Sequence, residues 1–150
     1  NIAALNKLGL CYMNGNNPDN IVDIDKALNY FKKASDMGYS YSYNNLGLYY
    51  ESLNNIDKAL YYYKLSADLN NSWALNKVGE IYRLNNNLKD AYFYYIKSIE
   101  CPITERNYYG YYNLANYYYL NGFKELNIKK DINKYNEYIT IFNKYKRTRD

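Results

Sequence analysis

Histidine is absent from the 150-residue chain, so the commonest general base and a leading metal ligand are both missing. Cysteine occurs only twice, at Cys11 and Cys101, far apart and in no metal-ligand spacing, so no metal site is expected. Cys11 lies among apolar residues and reads as a small buried hydrophobe. The pair fits a reduced, intracellular, cytoplasmic setting, with a single disulfide left open as the alternative. Apolar runs are only a few residues long, short of the roughly 20 that a spanning helix requires, so no membrane partner is expected. No charged stretch followed by an apolar core opens the chain, and its first residue is Asn1, so it reads as a fragment or processed product. No convincing strand precedes a glycine-rich loop, and the acidic pair Asp23 and Asp25 stands at a helix start, where the helix dipole favours it anyway. These absences speak against an enzyme, and no cofactor is expected.

Tyrosine is what the chain has in excess, with 24 copies. Asparagine recurs in pairs at 16–17, 44–45, 54–55, 70–71 and 85–86. An adenine- and thymine-rich coding sequence favours tyrosine, asparagine, lysine and isoleucine together, which offers a bland account of both. Hydrophobic content of 48% with 23% charged residues is ordinary for a soluble globular chain of one domain. The net charge of +4 is modest, and its densest run, KYKRTR at 144–149, is a weak footprint for nucleic acid.

Four segments align on a small residue: LNKLGLCY (5–12), YNNLGLYY (43–50), LNKVGEIY (75–82) and YYNLANYY (111–118). The small residues are Gly9, Gly47, Gly79 and Ala115, spaced 38, 32 and 36 residues apart, and Tyr12, Tyr50, Tyr82 and Tyr118 follow each by three. Periods of this size signal stacked supersecondary units. A second set aligns on Ala27, Ala59 and Ala91, with Phe31, Tyr63 and Tyr95 four residues on and Ala34, Ser66 and Ser98 seven on. Offsets of zero, four and seven share one helical face, so each repeat is two helices. Turn residues between them and Pro18 and Pro102 at breaks predict helices near 2–14, 23–37, 40–53, 56–69, 72–85, 88–100, 104–121 and 129–146.

This pattern resembles the tetratricopeptide repeat and its relative, the Sel-one-like repeat. LGLCYMNG with its long loop and DIDKALNYFKKASDMGY are similar to the Sel-one-like version, and the 32-residue middle spacing to compact tetratricopeptide units. The resemblance implies an all-α fold, a right-handed α-solenoid of about four helix-turn-helix repeats in a single domain over 1–150, near 2–37, 40–69, 72–100 and 104–146. The last repeat is atypical. Ala115 replaces its glycine, and Tyr135 and Phe142 stand where the alanines would, so it is expected to be a cap with its final helix pushed outward. The resemblance also implies that each glycine lets the first helix pass close to its own second helix, which offsets the roughly 1 kcal/mol that an interior glycine costs.

In the resembled families the first helices line a concave face, which implies inward positions six and three before the small residue and one and four after it. These are Ala3, Asn6, Leu10 and Met13; Tyr41, Asn44, Leu48 and Glu51; Trp73, Asn76, Glu80 and Arg83; and Tyr109, Tyr112, Asn116 and Tyr119. The recurring amides of Asn6, Asn44 and Asn76 could serve the backbone of an extended peptide. Trp73 among tyrosines suits a binding hot spot, or else packs between neighbouring repeats. The chaperone-tail clamp of tetratricopeptide domains is incomplete, with Asn6 and Leu10 at its first two positions and Trp73 in place of a basic residue, although Asn45 and Lys77 match. The expected function is a non-enzymatic protein-protein interaction scaffold that docks a peptide or protein partner. The alternatives are a self-assembling structural module and, against the small net charge, single-stranded nucleic-acid binding.

Overall fold

The computed structural model of the chain describes residues 1–102 and 107–149. Its regular elements are helical: α1 (Ile2–Asn14), α2 (Ile24–Asp36), α3 (Ser40–Ser52), α4 (Ile56–Asp68), α5 (Ser72–Leu84), α6 (Leu88–Glu100), α7 (Tyr109–Leu114) and α8 (Ile132–Arg149). The first six agree with the expected spans to within a residue at each end. The chain divides into two compact units, Asn1–Leu69 and Asn70–Asp150.

Asparagine sets the joints. From α2 to α6 a new helix starts every 16 residues, at Ile24, Ser40, Ile56, Ser72 and Leu88. Between them Asn54, Asn70 and Asn86 take left-handed backbone angles (φ 57, 59 and 61°), a conformation that asparagine tolerates better than most residues. The next residue, Asn55, Asn71 or Asn87, then caps the following helix by accepting the amide of Lys58 (3.2 Å), Ala74 (3.0 Å) or Asp90 (3.2 Å). The paired asparagines therefore do two jobs in three-residue turns. Asn17 does a third, since its amide donates to Ile21 O at 2.7 Å and closes the longer loop after α1.

In the first unit α1 pairs with α2 and α3 with α4. Gly9 and Gly47 are where the partners touch. A Cβ at Gly9 would overlap the Phe31 ring, and one at Gly47 the Tyr63 ring. Both rings are fully buried, as are Ala27 and Ala59 beside them. Burying an aromatic side chain contributes about 1.5–3 kcal/mol, more than the roughly 1 kcal/mol an interior glycine costs, so the exchange favours the fold. Ser66, also buried, donates to Ser40 O at 3.0 Å and links α4 to α3.

The second unit repeats the plug once, with a Cβ at Gly79 falling 2.7 Å from the Tyr95 ring. It then departs. Residues 103–106, the expected start of the seventh helix, lie outside the described residues. α7 begins at Tyr109 and passes at Ala115 into a π-helical turn, Ala115–Tyr119, where Leu120 N donates to Ala115 O at 2.9 Å. The wider turn adds a residue to the helical register. Tyr118 is fully buried, and its hydroxyl donates to Leu88 O at 2.6 Å. A loop closed by the Phe123 to Ile128 bridge leads to α8, which starts at Ile132, later than expected. Tyr135 and Tyr138 of α8 pack on a core of Ala91, Tyr95, Leu114, Tyr118 and Tyr119.

Candidate functional site

The site is built from the first helix of each pair, taken unit by unit. In the first unit, Leu10 and Met13 of α1 and Leu48 of α3 converge on a groove of about 250 Å³. The Phe31 ring, already fixed against Gly9, lies beneath them, and Asn45, Tyr49 and Ser52 complete the wall. Leu10 and Leu48 remain 37% and 44% exposed, so apolar surface is held open to solvent by well-packed helices. Tyr41 is exposed, with its ring 5.4 Å from that of Tyr39.

Asn6 and Asn44 lie one turn back and are buried. The Asn6 oxygen accepts from Ser42 Oγ (2.9 Å) and Asn45 Nδ2 (2.8 Å), which ties α1 to α3. Glu51 is engaged as well, accepting the Tyr63 hydroxyl from α4.

In the second unit Asn76 is buried and accepts from Asn113 Nδ2 at 3.0 Å, the same kind of tie between α5 and α7. Trp73 is half-buried, with the Lys77 ammonium 5.8 Å from its ring. Glu80 is half-buried one turn before Arg83, whose guanidinium lies 4.4 Å over the Tyr117 ring. Tyr109 and Tyr112 each sit 5.1 Å from Phe142 of α8, which is buried by them. Asn116 donates to Tyr112 O at 2.9 Å. Tyr119 is buried, and its hydroxyl lies 3.2 Å from that of Tyr92.

Burial sets the proton affinities here. The Tyr95 phenol is pushed up to about 12 by desolvation, which the nearby Arg83 guanidinium opposes. Tyr118 and Tyr119 are driven above the usual phenol range by burial first, and the Tyr92 hydroxyl adds to the effect on Tyr119.

Sequence reasoning missed one recurrent feature. Tyr12, Tyr50 and Tyr82 stack on Tyr30, Tyr62 and Tyr94 of their own second helices, with centroids 5.7, 5.5 and 5.6 Å apart. Lys26 and Lys58 lie over the first two of these rings at 4.6 and 4.5 Å, a cation on an aromatic face. The signal was a tyrosine three residues past both the glycine and the alanine of each repeat, visible only when the two sets are read together.

Helix pairs of near-constant length, joined by tight turns and locked by an aromatic ring on a glycine, define a helical repeat protein of the α-solenoid class. The chain belongs to the Sel1 repeat family, whose model matches residues 2–39, 40–71 and 109–134. The α5 and α6 pair falls between those matches, although it carries the same ring-on-glycine lock. No curated protein matches the chain significantly in sequence. Among solved structures, it is similar to a Sel1 repeat protein from Oxalobacter formigenes, with a TM-score of 0.75, 22% identity, and 96% of this chain against 58% of that one covered. It is also similar to a protective antigen present in uropathogenic Escherichia coli strains and displaying an SLR fold, with a TM-score of 0.74, 18% identity, and 97% of this chain against 31% of that one. The chain thus spans about three fifths and one third of these two neighbours. Sel1 repeat proteins generally act as scaffolds for protein interaction and are typically non-enzymatic. No helix among the described residues is long and apolar enough to cross a membrane.

Proposed function

We propose that this chain is a non-enzymatic scaffold that docks a peptide or protein partner on the first-helix faces of its units. The observation that carries the reading is the groove of Leu10, Met13 and Leu48 in the first unit. Leu10 and Leu48 stay open to solvent while Met13 packs on the core beside them, so apolar surface is presented around a rigid floor at Phe31. A pocket of this size and lining suits one apolar side chain of an extended or helical segment. The asparagine ties behind it hold neighbouring first helices at fixed spacing, and pre-organisation of that kind lowers the entropic cost of docking. In the same reading residues 1–150 act as one repeat domain, α8 caps its end, and Trp73, Glu80 and Arg83 add a second contact surface.

Affinity capture from the source cells tests this with the wild-type chain beside Leu48→Asp and Trp73→Ala. The expected outcome is loss of specific partners with helicity and melting temperature unchanged, since both residues are partly exposed. An identical set of captured proteins from all three would remove the reading. Self-assembly remains the second reading because Leu84, 73% exposed, and Phe93, 54% exposed, lie outside the faces described. Light scattering over a hundredfold concentration range separates the two.

A further inference from the structure

Two buried phenols hold matching places in successive helix pairs and keep opposite company. Tyr63 rests on Gly47 and donates its hydroxyl proton to Glu51, four residues past that glycine. Tyr95 rests on Gly79, and the residue four past that glycine is Arg83. A guanidinium only donates, so it cannot accept the phenol's hydrogen bond as Glu51 does. Tyr95 is fully buried with its oxygen facing the Arg83 guanidinium, yet neither its hydroxyl hydrogen nor Arg83 Nε meets an acceptor among the described residues. The Tyr117 ring beneath Arg83 fixes the side chain without neutralising it. The ionisable groups that act on the guanidinium are Tyr95, Tyr117 and Glu80, the last being the carboxylate of the set.

Buried donors are nearly always served, and the first unit shows what serves this one: a carboxylate. We propose that the second unit binds a carboxylate side chain from an acidic segment of the protein partner, held by Arg83 in the place that Glu51 fills in the first unit. This deepens the scaffold reading and rests on it. Charge complementarity favours one carboxylate over a nucleic-acid backbone, because Glu80 one turn away repels a dense run of phosphates. The site is not the clamp excluded from the sequence, since Arg83 lies on the opposite side of the glycine from Trp73 and Asn76.

The test titrates a hexaglutamate peptide into the full chain, beside hexaglutamine and inorganic phosphate, followed by calorimetry and backbone amide shifts. Hexaglutamate is expected to bind with shifts centred on Arg83 and Tyr117, and hexaglutamine not to bind. Arg83→Gln should weaken binding at least tenfold, and Glu80→Gln should strengthen it. Arg83→Glu should abolish binding while melting no lower than wild type, because the new carboxylate accepts the Tyr95 hydroxyl's hydrogen bond from within. If Arg83→Glu does not fold, Arg83→Gln carries the readout. Undiminished binding to the Arg83 variants, phosphate binding there as well as the peptide does, or shifts confined to the lysines of α8 would each overturn the proposal. Its failure is separable from that of the scaffold reading. Partner loss on Leu48→Asp with no hexaglutamate response overturns this proposal alone, whereas capture indifferent to Leu48→Asp and Trp73→Ala overturns the scaffold.

Discussion

Gly47 shows how one missing methyl group organises a helix pair. Alanine there would gain about 1 kcal/mol in helix propensity. Its Cβ would nevertheless enter the Tyr63 ring, which is fully buried and held through its hydroxyl by Glu51. Overpacking of this kind costs typically about 1–3 kcal/mol, so the clash outweighs the propensity. Gly47→Ala is therefore expected to melt below wild type, and Gly47→Leu lower still. A thermal scan showing either variant at or above the wild-type midpoint would mean the ring yields freely. The sequence showed that something small was needed at these positions, and it showed the aromatics four past each alanine. That the ring itself occupies the glycine's gap depends on the rotation of one helix against the other, which a one-dimensional pattern does not carry.

At the scale of the element, the turns decide where helices begin. Asn87→Ala removes the cap that accepts the Asp90 amide and should cost about 1 kcal/mol. Asn86→Gly, at φ 61°, should cost little, while Asn86→Val should cost more than either because a β-branched side chain resists left-handed angles. Denaturant midpoints of the three variants check that order, and a harmless Asn86→Val would refute the assignment. Six helix spans were legible because periodicity and turn residues agree over 2–100. The π-helical turn at 115–119 was not, since no residue type marks it. It comes from the fit of Tyr118 and Tyr119 to their neighbours in the core. The asparagine pairs were visible but open to a compositional account. Their division into a left-handed residue and a cap gives 54–55 and 70–71 a physical role, and in the run 85–87 it falls on Asn86 and Asn87.

Over the whole molecule, acid-base behaviour follows from what was absent. With no histidine to titrate near neutrality, the groups with shifted proton affinity that matter are buried phenols. Tyr95 ionises near 12 in the folded chain and near 10 once unfolded, so the unfolded state loses its proton first as pH rises. Its contribution is complete below pH 10 and is lost as pH climbs toward 12, and Tyr118 and Tyr119 act in the same direction. Stability is expected to fall steeply above pH 10, with tyrosine absorbance rising in an early phase and then a late one that coincides with loss of helicity. A single absorbance phase completed while helicity is intact would contradict the burial of these phenols. Of the positions projected onto a binding face, Leu10, Met13 and Leu48 could be grouped by spacing alone. The engagement of Asn6 with α3 and of Tyr112 with Phe142 could not, because both depend on contacts between helices far apart in sequence.

The joints at 53–55 and 85–87 end in the same two residues, an asparagine in the left-handed region and an asparagine that caps. Excising residues 55–86 would splice Asn54 directly to Asn87 and recreate a working turn from two halves. At the corner itself, then, the 32-residue block is interchangeable, because the turn left by its removal carries the same left-handed and capping residues as the two it replaces.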